Sequence, residues 1–186
     1  MSVSVAIFVA LIAYVLGALP VSRLFLGVSG QALPRACCER MLSFAKAVLD
    51  IAKGFVIVLM LCVAFGHETA LIAATGAFLG HIYPIFRDVS GGYGMSVLLG
   101  ALVAFDPTIG LVALVTWTFG HYVFRFAGLA ALCSAIATPL IVSVYDLSTK
   151  ENTLVLFALS IFIFWRQREH LAYFIGQNER VVSGER

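Results

Sequence analysis

Charge is what this sequence has least of. Asp, Glu, Lys and Arg make up 12% of its 186 residues, against 61% apolar residues, where a soluble domain carries about a quarter charged residues. Such a chain cannot cover a water-facing surface, so its solvent is largely lipid; the mean hydropathy is +1.01. Cysteine pairing is also missing. Cys37 and Cys38 are adjacent, Cys62 and Cys133 fall in apolar segments, and no CxxC or Cys/His ligand spacing occurs. That excludes a structural zinc site and reads as reduced thiols filling space. No basic stripe is interleaved with aromatics, which excludes nucleic acid as a partner. No low-complexity run, internal repeat or domain boundary is visible, so a single integral membrane domain over 1–186 is expected. The first segment has no basic residue before it and no small-residue cleavage site, and it reads as a retained span.

What is present is a set of seven apolar segments. They run about Val3–Leu26, Leu42–Phe65, Thr69–Phe86, Gly94–Phe105, Thr108–Phe124, Ala127–Val144 and Asn152–Trp165. A full crossing needs about 20 residues, so the fourth and seventh are expected to be tilted, extended or re-entrant. The basic residues test this division independently. Arg35 and Arg40 follow the first segment, with Arg23 just inside it; Arg87 follows the third, Arg125 the fifth, and Arg166, Arg168, Arg180 and Arg186 the last. The alternate junctions hold His67-Glu68, Asp106 and a single Lys150. The alternation predicts an all-α, polytopic helix bundle with the N-terminus outside and the C-terminus in the cytoplasm. The net charge of +2 then belongs to cytoplasmic arginines facing anionic headgroups.

Gly80–Gly94 is the most informative stretch, a glycine-rich polar loop between two apolar segments. Glycine is costly in a helix and adds nothing to a hydrophobic span. Gly91, Gly92 and Gly94 around one residue point to backbone that approaches something closely. Exposed N–H groups leading into a helix suit an anion such as phosphate; a re-entrant turn explains the glycines equally well. Charges inside spans carry a functional hypothesis because each is costly in hydrocarbon unless paired. Lys46, Asp50 and Lys53, at i, i+4 and i+7, share one helical face. Asp50 is expected to neutralise one lysine, with Lys46 snorkelling and Lys53 turned inward. His81 and His121 read first as hydrogen-bonded scaffold.

These residues resemble the bacterial acyl-phosphate:glycerol-3-phosphate acyltransferases, the seven-span PlsY family. Gly80–Gly94 follows the family pattern Gly-His-x-x-Pro-x-Phe-x-x-x-x-Gly-Gly-Lys-Gly through His81, Pro84, Gly91, Gly92 and Gly94. Gly17-Ala18-Leu19-Pro20 stands where the family has Gly-Ser-Ile-Pro, and Asp50-Ile51-Ala52-Lys53-Gly54 matches Asp-x-x-Lys-Gly. Arg125–Ala130 resembles Arg-Tyr-x-Ser-Leu-Ala. Arg166–Leu171, with Gly176 and Glu179 beyond, is similar to Arg-His-Arg-x-Asn-Ile followed by Gly-Thr-Glu.

The resemblance implies transfer of a fatty acyl group from acyl phosphate to glycerol 3-phosphate, with no metal or other cofactor, at the cytoplasmic edge of a bacterial inner membrane. It implies catalytic roles for Ser29, His81 and His170, and for a first-loop arginine in whose place either Arg35 or Arg40 can stand. Lys53, Arg87, Gly91, Gly92, Tyr93, Gly94 and Arg125 would bind substrate phosphate, and Pro20, Asp50, Pro84 and Glu179 would be structural. No His-x-x-x-x-Asp box, the mark of another large class of glycerolipid acyltransferases, occurs. Departures also stand out. The first-loop motif survives only as Ser29-Gly30-Gln31; Tyr93 replaces the loop lysine; Ala18 and Gly128 replace serines; Gln167 replaces a histidine and His170 an asparagine. Three readings follow: a divergent acyltransferase, an inactive paralogue that binds lipid or a membrane-protein partner, and a small transporter-like bundle.

Overall fold

A computed structural model describes residues 2–21, 24, 36–85, 94–124 and 127–183; for 36–41, 43, 127 and 169–183 it describes the backbone alone. Among the described residues there are seven α-helices and no strand. They are α1 (Val3–Ala18), α2 (Ala36–Phe65), α3 (Ala70–Ile82), α4 (Met95–Phe105), α5 (Pro107–Phe124), α6 (Ala127–Val144) and α7 (Lys150–Ser183), with a short 3-10 turn at His67–Thr69. The sevenfold division of the sequence stands, but several ends move. α1 stops at Ala18, where Pro20 forces Leu19 into an extended conformation. α2 starts ahead of its apolar stretch and α7 continues well past Trp165. Hydropathy marks where lipid begins, whereas good helix formers such as Glu, Arg and Gln extend a helix beyond it.

The chain falls into two compact units, Met1–Gly110 and Leu111–Arg186. In the first, α1 packs on α3, α2 on α4, and α3 also against α2 and α4. Small residues permit these approaches, since lipid supplies no hydrophobic drive between helices. Gly76 and Gly80, one turn apart, seat Ala10, Ala13 and Tyr14 of α1. Gly54 takes the Val97 carbonyl and Gly100 the Ile51 carbonyl at positions where a Cβ would collide. The core is Val9, Ala13, Val58, Ala73, Phe78, Val97 and Leu99. Asp106 starts α5: its Oδ1 accepts from the N–H of Thr108 at 2.7 Å and of Ile109 at 3.2 Å, with Pro107 at the first helical position.

In the second unit, the rest of α5 joins α6 and α7. The buried Ser134 hydroxyl donates to the Ala113 carbonyl at 2.8 Å and accepts from Thr116 at 3.2 Å. Pro139 lies inside α6 and has no N–H for the carbonyl of Ala135, four residues earlier. The Ser160 hydroxyl of α7 donates to that orphaned oxygen. Large apolar side chains point outward on both units, among them Val63, Leu111, Phe119 and Ile161, and the spans Phe44–Phe65 and Pro107–Phe124 are long and apolar enough to cross a bilayer. The protein is a membrane helix bundle.

Candidate functional site

In the first unit the motif residues gather around the ends of α1, α3 and α4. Lys53 projects inward from α2, as expected, and is 8% exposed. Its ammonium donates to the carbonyls of Gly17 at 2.5 Å and Leu19 at 2.8 Å. A helix leaves its last carbonyls unpaired, so Lys53 caps α1 from a neighbouring helix. Its positive charge also suits the negative end of the α1 dipole. Pro20 follows directly, which ties this cap to the start of the first connecting segment.

Asp50 interacts with Lys53 and Lys46 of its own helix, as expected, and also reaches a second helix. Its Oδ2 lies 3.9 Å from Nε2 of His81, with the two side chains 16% and 14% exposed. Lys53 acts electrostatically on both Asp50 and His81. Just beyond His81, the Tyr14 hydroxyl of α1 donates to the Tyr83 carbonyl at 2.7 Å. Pro84 follows, outside the helix. On the far side of the glycine-rich stretch, Gly94 begins α4 with φ +75°, a left-handed conformation that glycine adopts without strain. A Cβ there would meet Phe78 and Ile82 at about 2.8 Å. Both ends of the stretch are therefore held: one by Tyr14 and the Asp50–His81 contact, the other by Gly94 seated on α3.

In the second unit, α7 presents a buried stripe of Leu156, Leu159, Ile163 and Gln167. Arg168 lies over the Trp165 ring, 5.4 Å from its centroid. His121 stacks on Trp117 with centroids 5.4 Å apart, in line with a scaffold role. Cys62 and Cys133 are free thiols.

Of the residues implied by the resemblance, Pro20, Asp50, Lys53, His81, Pro84 and Gly94 come together in the first unit. Ser29, Arg35, Arg87, Gly91, Gly92, Tyr93 and Arg125 lie outside the described residues, and of His170 and Glu179 the helical backbone alone is described. Tyr14 was missed. The signal for it was a phenol near the end of an almost wholly apolar helix, whose one other hydroxyl is Ser4.

Comparison with known proteins decides the family. The glycerol-3-phosphate acyltransferase family model matches residues 7–177. The chain belongs to that family. A glycerol-3-phosphate acyltransferase of Jannaschia sp. (strain CCS1) is 33% identical over 189 residues, covering 95% of this chain and 89% of the relative. One from Nitrosospira multiformis is 35% identical over 118 residues, 63% of this chain and 58% of the relative. The fold matches the crystal structure of PlsY (YgiH), an integral membrane glycerol 3-phosphate acyltransferase, in its glycerol 3-phosphate form. The TM-score is 0.73 at 23% identity, over 96% of this chain and 92% of that one. Within this family frame, the Lys53 cap, the Asp50–His81 contact and the Gly94 turn are the features that hold the motif segments in place.

Proposed function

We propose that this acyltransferase moves an acyl group from acyl phosphate to the sn-1 hydroxyl of glycerol 3-phosphate, at the cytoplasmic face of the bacterial inner membrane. The hydroxyl oxygen attacks the acyl carbonyl carbon and the carbon–oxygen bond to phosphate breaks. Phosphate leaves with the bonding pair, and the hydroxyl proton is delivered to phosphate or solvent. Acyl phosphate is already activated, so positioning and donors for the developing oxyanion supply much of the rate. The single observation that carries the reading is family membership along residues 7–177.

The site roles follow from chemistry. Two phosphoryl groups held close together repel, and several donors must offset that repulsion. Arg35, Arg87, Arg125 and the N–H groups of Gly91–Gly94 fill that role, with Ser29, His81 and His170 at the reacting groups. Lys53 commits two N–H groups to α1 and keeps one for a phosphoryl oxygen. The arginine alternation supports a single multi-pass domain with its N-terminus outside. Tyr93 offers one hydrogen bond where the family lysine offers a charge, so other cations carry more of the phosphate binding.

Purified protein in nanodiscs, given palmitoyl phosphate and labelled glycerol 3-phosphate, tests this reading. Lysophosphatidic acid above the protein-free rate, abolished by Arg87→Ala, is the expected result. No product, while a family member with the full motifs works in the same lipid, overturns it.

A further inference from the structure

A groove of about 280 Å³ is lined by α6 and α7 in the second unit. Pro139 is buried at its floor, and Ile136, Leu140, Ile161 and Phe164 form walls that are 49% to 71% exposed. Among its described lining residues the only polar side chain is Ser160, and that hydroxyl is already committed to the carbonyls of Ala135 and Leu156. The groove therefore offers nothing to water. A second membrane helix is a poor fit as well, because helices meet in lipid through small residues and these walls are branched or aromatic. A hydrocarbon chain needs neither polar partners nor small residues.

The α7 wall leads to a charge. Phe157, Ile161, Phe164 and Arg168 follow at i, i+4, i+7 and i+11, which keeps them on one helical face. Arg168 thus stands one turn beyond Phe164, in line with the groove and just past the end of the apolar run at Trp165. It is exposed, lies over the Trp165 ring at 5.4 Å, and has no carboxylate partner among the described residues. Tryptophan and arginine at the end of an apolar run mark headgroup depth. Groove and guanidinium therefore come in the order in which a lipid presents its chain and its headgroup.

We propose that this groove binds one acyl chain of an anionic phospholipid of the surrounding bilayer, with Arg168 holding the lipid phosphate. The planar fork of a guanidinium matches phosphate oxygens, and its place over the Trp165 ring keeps the side chain at that level. Charge selects among lipids. A zwitterionic headgroup offsets its phosphate with its own cation, whereas an anionic one leaves the phosphate charge to the protein. The lipid so held is a resident of the second unit and neither donor nor product of acyl transfer.

Native mass spectrometry of the full chain, released from nanodiscs of equal phosphatidylglycerol and phosphatidylcholine, reads the retained lipid without acyl transfer. Its outcome is therefore separate from that of the acyltransferase reading. The natural protein is expected to retain one lipid, with phosphatidylglycerol favoured by about 5-fold. Arg168→Gln should bring that ratio close to 1, while Arg168→Lys, which keeps the charge, should preserve most of it. Ile161→Trp fills the groove from an exposed wall position and should abolish retention of either lipid. Leu140→Trp does the same from α6 and serves if the first variant does not accumulate. A preference left unchanged by Arg168→Gln, or a lipid still retained in both tryptophan variants, overturns the site. So does displacement of the retained lipid by palmitoyl phosphate, which would give the groove to the acyl donor, or a lipid-free dimer, which would give it to a second copy of the chain.

Discussion

Lys53 and Gly17 are joined across two helices, the ammonium of one donating to the carbonyl of the other at 2.5 Å. The second bond, to Leu19 at 2.8 Å, makes the pair a clamp on the end of α1. A charged side chain inside a bilayer is retained where it is satisfied and useful. Here it closes a helix and fixes the point from which the first connecting segment departs.

Replacing Lys53 by Met removes both bonds and keeps the apolar stem. The expected cost is about 2 kcal/mol, read as a lower unfolding midpoint in detergent, together with a fall in acyl transfer. An unchanged midpoint would show that the clamp adds nothing to stability.

The Gly100→Ala variant tests the approach of α2 and α4. The added methyl would strike the Ile51 carbonyl, and overpacking of this kind costs about 1–3 kcal/mol. At Gly66 no heavy atom lies within 4 Å of the added Cβ, and only the φ of +92° opposes it. Gly66→Ala should therefore cost less, about 1 kcal/mol. Equal losses at the two positions would contradict the packing account.

Gly94→Ala combines a left-handed backbone with a collision against Phe78 and Ile82. The glycine-rich stretch would leave α4 at a different angle. Acyl transfer should fall about 100-fold, more than the accompanying loss of stability explains. Full activity in a folded variant would free Gly94 from any role in placing the loop.

Ser160 and Pro139 form a compensating pair. Ser160→Ala leaves the Ala135 carbonyl without a donor and should cost about 1–2 kcal/mol. With Pro139→Ala in place, the restored N–H occupies that carbonyl and the same serine substitution should cost far less. A double-mutant cycle measures the difference; additive losses would show that the two residues act independently.

Much of the site was legible because glycine, proline and charge are unusual in a span. Gly94 does begin a helix and Lys53 does face inward, whereas α3 stops at Ile82, ahead of Pro84 and short of the expected Phe86. What the sequence left open was each group's partner. Asp50 approaches His81 from a different helix, and Lys53 turns to carbonyls of α1, because backbone acceptors carry no mark in the side-chain sequence. Helix ends moved at Ala18, Ala36 and Ser183 for a related reason, since apolar runs report the membrane and not the hydrogen-bond ladder. Gln167 stands where the family has a histidine, and one sequence does not reveal that it is buried.

Phosphorus NMR of a single sample of nanodisc-held protein, palmitoyl phosphate and glycerol 3-phosphate tests the central claim most directly. The account predicts that the acyl phosphate and glycerol 3-phosphate signals fall together. Inorganic phosphate and lysophosphatidic acid should rise in equal amounts, with no coenzyme A or acyl-carrier protein added. Inorganic phosphate without lysophosphatidic acid, or no change in any signal, would contradict acyl transfer to this acceptor.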